Sequence, residues 1–351
     1  MMRLSIAPAA ALLLVGFVGC GGSPTGVSGV PGMPTGAGTR STVASANVAL
    51  GVPEPASTSI EFFGGISGAA APRGITKGPA GIMWFTESNG DRIARITANG
   101  VVTEFSGLSP NASPNNIVEG PDGNLWFVEL NANRIGRITP RGAVSEFPLG
   151  TPSSAPFDIA VGSDGNLWFT EYNANVVGRI TTAGVVTQFS RGITANAGPR
   201  DIAAGPDGNL WFTELKANKI GRITTAGVVT EFASGLTPSA ALVDIVAGPD
   251  GNLWFAENNA NAIGRITTSG AIRQFKAFAN PGQPGSITTA KGALWYTDSL
   301  GNRLGRMSTT GQSTQISVPY GGPNVADIAQ GPNGDLWLTD PVGNGIIHVT
   351  Q

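Results

Sequence analysis

Residues 205–232 read GPDGNLWFTELKANKIGRITTAGVVTEF, and the chain repeats variations of this stretch from end to end. A Gly-Pro-Asp-Gly turn leads into Leu210, Trp211 and Phe212, followed by Thr213 and Glu214. A run that is apolar on both faces reads as a strand packed between two neighbours. Residues 220–224 and 228–232 follow as two more strands, separated by an Ala226-Gly227 turn, and residues 201–204 place a short apolar strand in front. Gly and Pro punctuate the stretch about every ten residues, which leaves no room for a helix.

The same pattern surrounds every tryptophan of the chain: Trp84, Trp126, Trp168, Trp211, Trp254, Trp295 and Trp337, at spacings of 42, 42, 43, 43, 41 and 42 residues. A period of roughly 40–45 residues is that of a four-stranded propeller blade. The two ends agree with this reading. The last repeat stops after its third strand, at residues 346–350, while residues 59–62, SIEF, match the outer-strand motif VTEF of residues 102–105. One spare outer strand in front and one missing behind make a composite blade that closes the ring without a large open edge. The expected fold is all-β: a seven-bladed β-propeller of four-stranded blades, closed by an N-terminal outer strand that completes the last blade.

Several columns repeat with the blades. A glycine precedes each Trp by three residues, from Gly81 to Gly334, as a turn with positive φ demands. Eleven residues after the Trp stands Arg95, Arg137, Arg179, Arg222, Arg265 or Arg306, with His348 in the seventh repeat. A four-residue hairpin would set that arginine opposite the Trp, where stacking contributes about 0.5–1 kcal/mol. The functional reading of the lone histidine is a general base, but its register marks it as a structural replacement for arginine. Three residues after each Trp comes an acid, among them Glu171, Glu214 and Glu257; ten before it stand Asp158, Asp201, Asp244 and Asp327, with Asn116 in the second repeat. Both acid columns should open on one face. Asp158, Asp201, Asp244, Glu171, Glu214 and Glu257 are therefore the candidate ligands for Mg²⁺ or Ca²⁺. The structural alternative, favoured because the acids recur with the repeat, is that they accept hydrogen bonds from loop N–H groups.

Residues 1–19 read as a lipoprotein signal peptide: Arg3 is the positive charge, residues 4–17 the apolar segment, and Phe17-Val18-Gly19-Cys20 resembles a lipobox, with Phe17 where Leu is usual. Cys20, the single cysteine, is the candidate lipidation site, so neither an intrachain disulfide nor a cysteine-rich metal site is available. Residues 20–57, rich in Gly, Pro, Ser and Thr, are expected to be a flexible tether, and residues 58–351 the propeller. Export with a lipid anchor in the cell envelope follows, in the outer membrane of a Gram-negative cell. A net charge of −2 with no basic run argues against nucleic acid as a partner.

The blade motif GPDGNLWFTE with N-x-IGRIT-x-x-G-x-V-T-E-F resembles that of the virginiamycin B lyase, or streptogramin lyase, family of seven-bladed propellers, over residues 58–351. The resemblance implies Mg²⁺-assisted elimination at the ester link of a cyclic depsipeptide, with histidine as base and carboxylates on the metal. This sequence has one histidine, and none of the family's catalytic histidines maps onto it, so no catalytic residue is assigned. The favoured function is a surface-tethered monomeric propeller that binds a small molecule, peptide or protein at its top face, without lyase activity. A divergent Mg²⁺-dependent lyase is the alternative, and a lactonase-like metal hydrolase a third reading. The loops ahead of the inner strands vary most, and partner recognition is expected there.

Overall fold

The computed structural model describes residues 40–44, 47–48, 58–319 and 325–351, the first two stretches as backbone alone. These residues form seven antiparallel sheets. The fourth blade shows the plan: Pro199–Ala204 is innermost, then Leu210–Glu214, Lys219–Ile223 and Val229–Phe232. The second strands, such as Leu210–Glu214, are buried along their whole length, as strands apolar on both faces must be. The turns that feed them need a left-handed residue, and Gly208, at φ +78°, provides it.

The ring closes as the two chain ends require. Ile328–Gln330, Leu336–Asp340 and Gly345–Thr350 come from the C-terminus, and Ser59–Phe63 pairs with the last of them, Ser59 opposite Thr350 and Phe63 opposite Ile346. Seven hydrophobic clusters hold the ring, each drawn mainly from two neighbouring blades. At one interface Trp84 and Ile93 meet Leu125, Phe127 and Ile138; at the seam Phe63, Trp337 and Ile346 meet Met83, Phe85 and Ile96. Each Trp is at most 3% exposed. Burial of an aromatic of this size contributes up to about 4–6 kcal/mol by area, an upper bound against a compact unfolded chain.

A second device repeats at the rim. The outer-strand phenylalanine of one blade lies against the turn glycine of the next, where a Cβ would have no space: one on Gly142 would stand 2.5 Å from Phe105, and one on Gly100 2.4 Å from Phe63. The N-terminal strand therefore plays its part in the seam as the outer strands of other blades do.

The stretch 20–57, expected to be a tether, contains two strands. Arg40–Ala44 adds to Ser59–Phe63 as a fifth strand of the seventh blade, and Asn47–Val48 adds to Ser313–Ser317 of the sixth. Exposed outer edges offer unpaired N–H and C=O groups, and residues 40–44, RSTVA, carry β-branched Thr42 and Val43 suited to pairing with them. Residues 1–39, with the signal peptide and Cys20, lie outside the described residues, as do 45–46 and 49–57.

Candidate functional site

The two faces of the ring differ in chemistry. On the face of the Gly-Pro-Asp-Gly turns, the four-residue hairpins bring arginine opposite tryptophan: Trp211 faces Arg222, Trp168 faces Arg179, and Trp337 faces His348. The Arg222 guanidinium lies 5.6 Å from the indole centre of Trp211 and donates to the Thr268 carbonyl of the next blade at 3.1 Å. The Trp211 indole N–H donates to turn residue Asp207 at 3.0 Å, as Trp126, Trp168 and Trp254 do to Asp122, Asp164 and Asp250. In blades one, six and seven that turn position holds Ala80, Lys291 and Asn333, and the indole nitrogens of Trp84, Trp295 and Trp337 have no hydrogen-bond partner among the described residues. His348 stacks on Trp337 at 4.2 Å between ring centres, with Nε2 3.1 Å from an Asp335 oxygen. It occupies the arginine position and is 7% exposed.

The opposite, top face carries both acid columns, since Pro199 at the start of an inner strand lies opposite Glu214 at the end of a second strand. The second-strand acids, however, do not reach the channel. Glu171, Glu214 and Glu257 are fully buried between blades. Gln188 and Gln274 donate to Glu171 and Glu257 at 2.7 Å. Among the described residues Glu214 and its counterpart Glu129 have no donor on either oxygen, and each faces a second glutamate, Glu231 or Glu146. Burial first, then that neighbouring charge, pushes both carboxyls up to about 8. A proton on the buried partner turns each repulsion into a hydrogen bond.

The inner-strand acids form a chain around the channel. Asp158 accepts from the Ile202 N–H at 2.7 Å, Asp201 from Ile245 at 3.0 Å, Asp244 from Ile287 at 2.9 Å, and Asp327 from Ile75 at 2.9 Å, in each case in the next blade. Asn116 donates to Asp158 at 2.6 Å and Ser286 to Asp327 at 2.6 Å. The Asp201 carboxyl neighbours both Asp158 and Asp244 closely enough for their charges to act on it. Burial, then the Asp158 and Asp244 charges, holds Asp201 well above the usual carboxylate range, while burial pushes Asp158 up to about 6 and Asp327 up to about 7. These four aspartates bind blade to blade, and a shared proton suits the contacts among them.

The six candidate metal ligands therefore fall into two sets, three aspartates in the channel and three glutamates between blades. Among the described residues no three of His, Cys, Asp or Glu are grouped to hold a metal ion. Each channel aspartate has one oxygen on a backbone N–H of the next blade, the structural role weighed for this column against a cation.

Four residues at the mouth follow no repeat column. Phe157 and Tyr172 of the third blade lie 6.4 Å apart. The Arg200 guanidinium stands 4.8 Å from the Phe157 ring centre, and the Lys216 ammonium 4.2 Å from that of Tyr172. The sequence reading missed this corner. Its signal was available: these side chains differ from their counterparts in the neighbouring blades.

The molecule is thus a closed seven-bladed propeller with a carboxyl-lined channel, an apolar stack between every pair of blades, and a cation–aromatic corner at its mouth. The model of the virginiamycin B lyase family matches residues 57–192 and 159–351, and the chain belongs to that family. Among solved structures it is similar to a streptogramin B lyase at 32% identity and a TM-score of 0.79, covering 84% of this chain and 97% of the other. It is 35% identical, with a TM-score of 0.79, to virginiamycin B lyase of Staphylococcus aureus, covering 84% of this chain and 99% of that one. The same values hold for a catalytically inactive histidine-to-alanine form of the S. aureus enzyme with quinupristin. No curated protein matches.

Proposed function

We propose that this chain is an exported propeller of the lyase family that binds a small molecule, peptide or protein at its top face and does not open streptogramin rings. One observation carries the reading. Elimination requires a base within hydrogen-bond reach of the substrate proton, and the single histidine is buried under Trp337 at the turn face, away from the channel mouth. The S. aureus enzyme is catalytically inactive as a histidine-to-alanine form, and the family resemblance implies histidine as the base, a residue this chain carries only at its turn face. Quinupristin, as a probe of the full chain, should give at most a thermal shift, with no linear product by chromatography. Linear product above the buffer blank would overturn the reading.

A second reading is a divergent lyase that uses a channel carboxylate as base. What favours it is the run of neighbouring channel carboxyls Asp158, Asp201 and Asp244, which burial holds above the usual carboxylate range, Asp158 at about 6. Ring opening by the native chain that disappears in Asp201→Asn would establish that reading instead.

The export route is also our proposal: lipidation at Cys20, with two or more acyl chains needed for stable anchoring. The native chain should fractionate with membranes, and Cys20→Ala should release it; unchanged fractionation of the variant would remove the anchor.

A further inference from the structure

Seven repeats give most positions six internal counterparts, so a side chain that leaves its column marks a place where the blade scaffold does not dictate the residue. At the second inner-strand position, Phe157 is the only aromatic of its column. Directly after the second-strand acid, Tyr172 is the only aromatic, and one residue further Lys216 is the only charge. These departures, from different strands and loops, meet at one corner of the mouth between blades three and four. The backbone allows this because Gly198, at φ +64°, passes beneath them: a Cβ there would stand 3.0 Å from the Tyr172 ring and 3.2 Å from the Lys216 stem.

The two cations of the corner differ in what answers them. Arg200 donates to the Val243 carbonyl at 2.7 Å and feels the charges of Asp201 and Asp244, so the protein supplies its counter-charge. Lys216 has no acid within ion-pair distance among the described residues. Other cations of this face do: Arg92 lies 2.7 Å from Glu87, Arg134 2.6 Å from Glu146, Lys219 2.6 Å from Glu231, and Arg303 pairs with Asp298. Lys216 is exposed, and Phe157 and Tyr172 are half-buried, so each ring keeps solvent-facing surface beside an ammonium that stacks on Tyr172 and has no carboxylate partner among the described residues.

We infer that this corner binds the carboxylate of a ligand that also carries an aromatic ring, such as a peptide ending in an aromatic residue. Lys216 Nζ donates to the carboxylate, and Tyr172 and Phe157 pack against the ring, with Arg200 holding Phe157 in place. Aromatic contact and a charge-assisted hydrogen bond each act over a short range, so the ligand needs both groups close together. The inference rests on the top-face binding reading and narrows its ligand.

Calorimetric titration of the full chain with N-acetylphenylalanine, its neutral amide and N-acetylalanine tests it. The aromatic acid should bind about tenfold tighter than either of the others. Lys216→Gln should erase the preference for acid over amide, and Tyr172→Leu the preference for the aromatic ring. Melting temperature reports whether each variant is folded, and Lys216→Met stands in if the first lysine variant is not. Equal affinity for acid and amide, an unchanged preference in the lysine variants, or no heat with the aromatic acid up to about 10 mM would overturn the site. Ring opening of a streptogramin is a separate readout. Its appearance would remove the non-lytic reading, whereas loss of probe binding without ring opening removes only the carboxylate site.

Discussion

His348 shows how a repeat constrains a residue that chemistry alone would single out. It stacks on Trp337 where six other blades place arginine, and Glu61 lies 3.8 Å from its Nδ1 on the adjoining outer strand. His348→Arg should leave the melting temperature within a few degrees of the native value, because the guanidinium finds the indole and Asp335 already in place. A loss beyond about 3 kcal/mol in denaturant unfolding would show that the imidazole does something arginine cannot. The buried glutamates make a pH claim. Glu129 and Glu214 keep their protons up to about 8 in the folded chain, whereas the unfolded chain releases them near 4.5. Between those limits the folded state binds more protons, so stability falls as pH rises through that window. Glu146 and Glu231 are held below the usual range by hydrogen bonds that outweigh their burial, and their contribution is lost as pH falls. Melting temperature should therefore peak at about pH 5 and decline toward pH 8. Glu129→Gln with Glu214→Gln should flatten that decline, and an unaltered slope would contradict the assignment. The Trp and Gly columns were legible because packing and turn geometry recur in all seven repeats. The N–H-accepting role of Asp201 was legible for the same reason, as its column recurs with the blades, whereas its close approach to Asp158 and Asp244 was not, since linear spacing does not show which carboxyls of successive blades meet.

At the scale of the element, the outer strand Ser59–Phe63 completes a four-stranded blade whose other three strands come from the far end of the chain. It was legible because SIEF matches VTEF and because the last repeat lacks an outer strand. The added strands Arg40–Ala44 and Asn47–Val48 were not, since they lie beyond the repeat and follow no column. Three truncations separate these contributions. Removal of residues 21–39 should leave the melting temperature unchanged. Removal of 21–50 strips the two fifth strands and should lower it by several degrees, as backbone pairs at an edge each contribute about 0.5–1.5 kcal/mol. Removal through Phe63 should abolish cooperative unfolding, because Ile60 and Phe63 leave two interfaces at once. Equal melting temperatures for the last two would contradict the composite blade.

At the scale of the whole molecule, the sequence made the architecture plain and left the ligand open for one reason. Blade packing is written seven times, whereas a binding corner is written once, in residues that depart from the pattern. Family membership places this chain beside lyases, and the channel it presents is lined by carboxyls that bond blade to blade. The most direct measurement is a chromatographic time course of quinupristin with the full chain, with and without Mg²⁺ at about 5 mM, a concentration that would fill a weak magnesium site. Intact quinupristin is expected at every time point under both conditions, with no rise in melting temperature on adding Mg²⁺. Mg²⁺-dependent appearance of the linear product would contradict this expectation and make this propeller a working lyase.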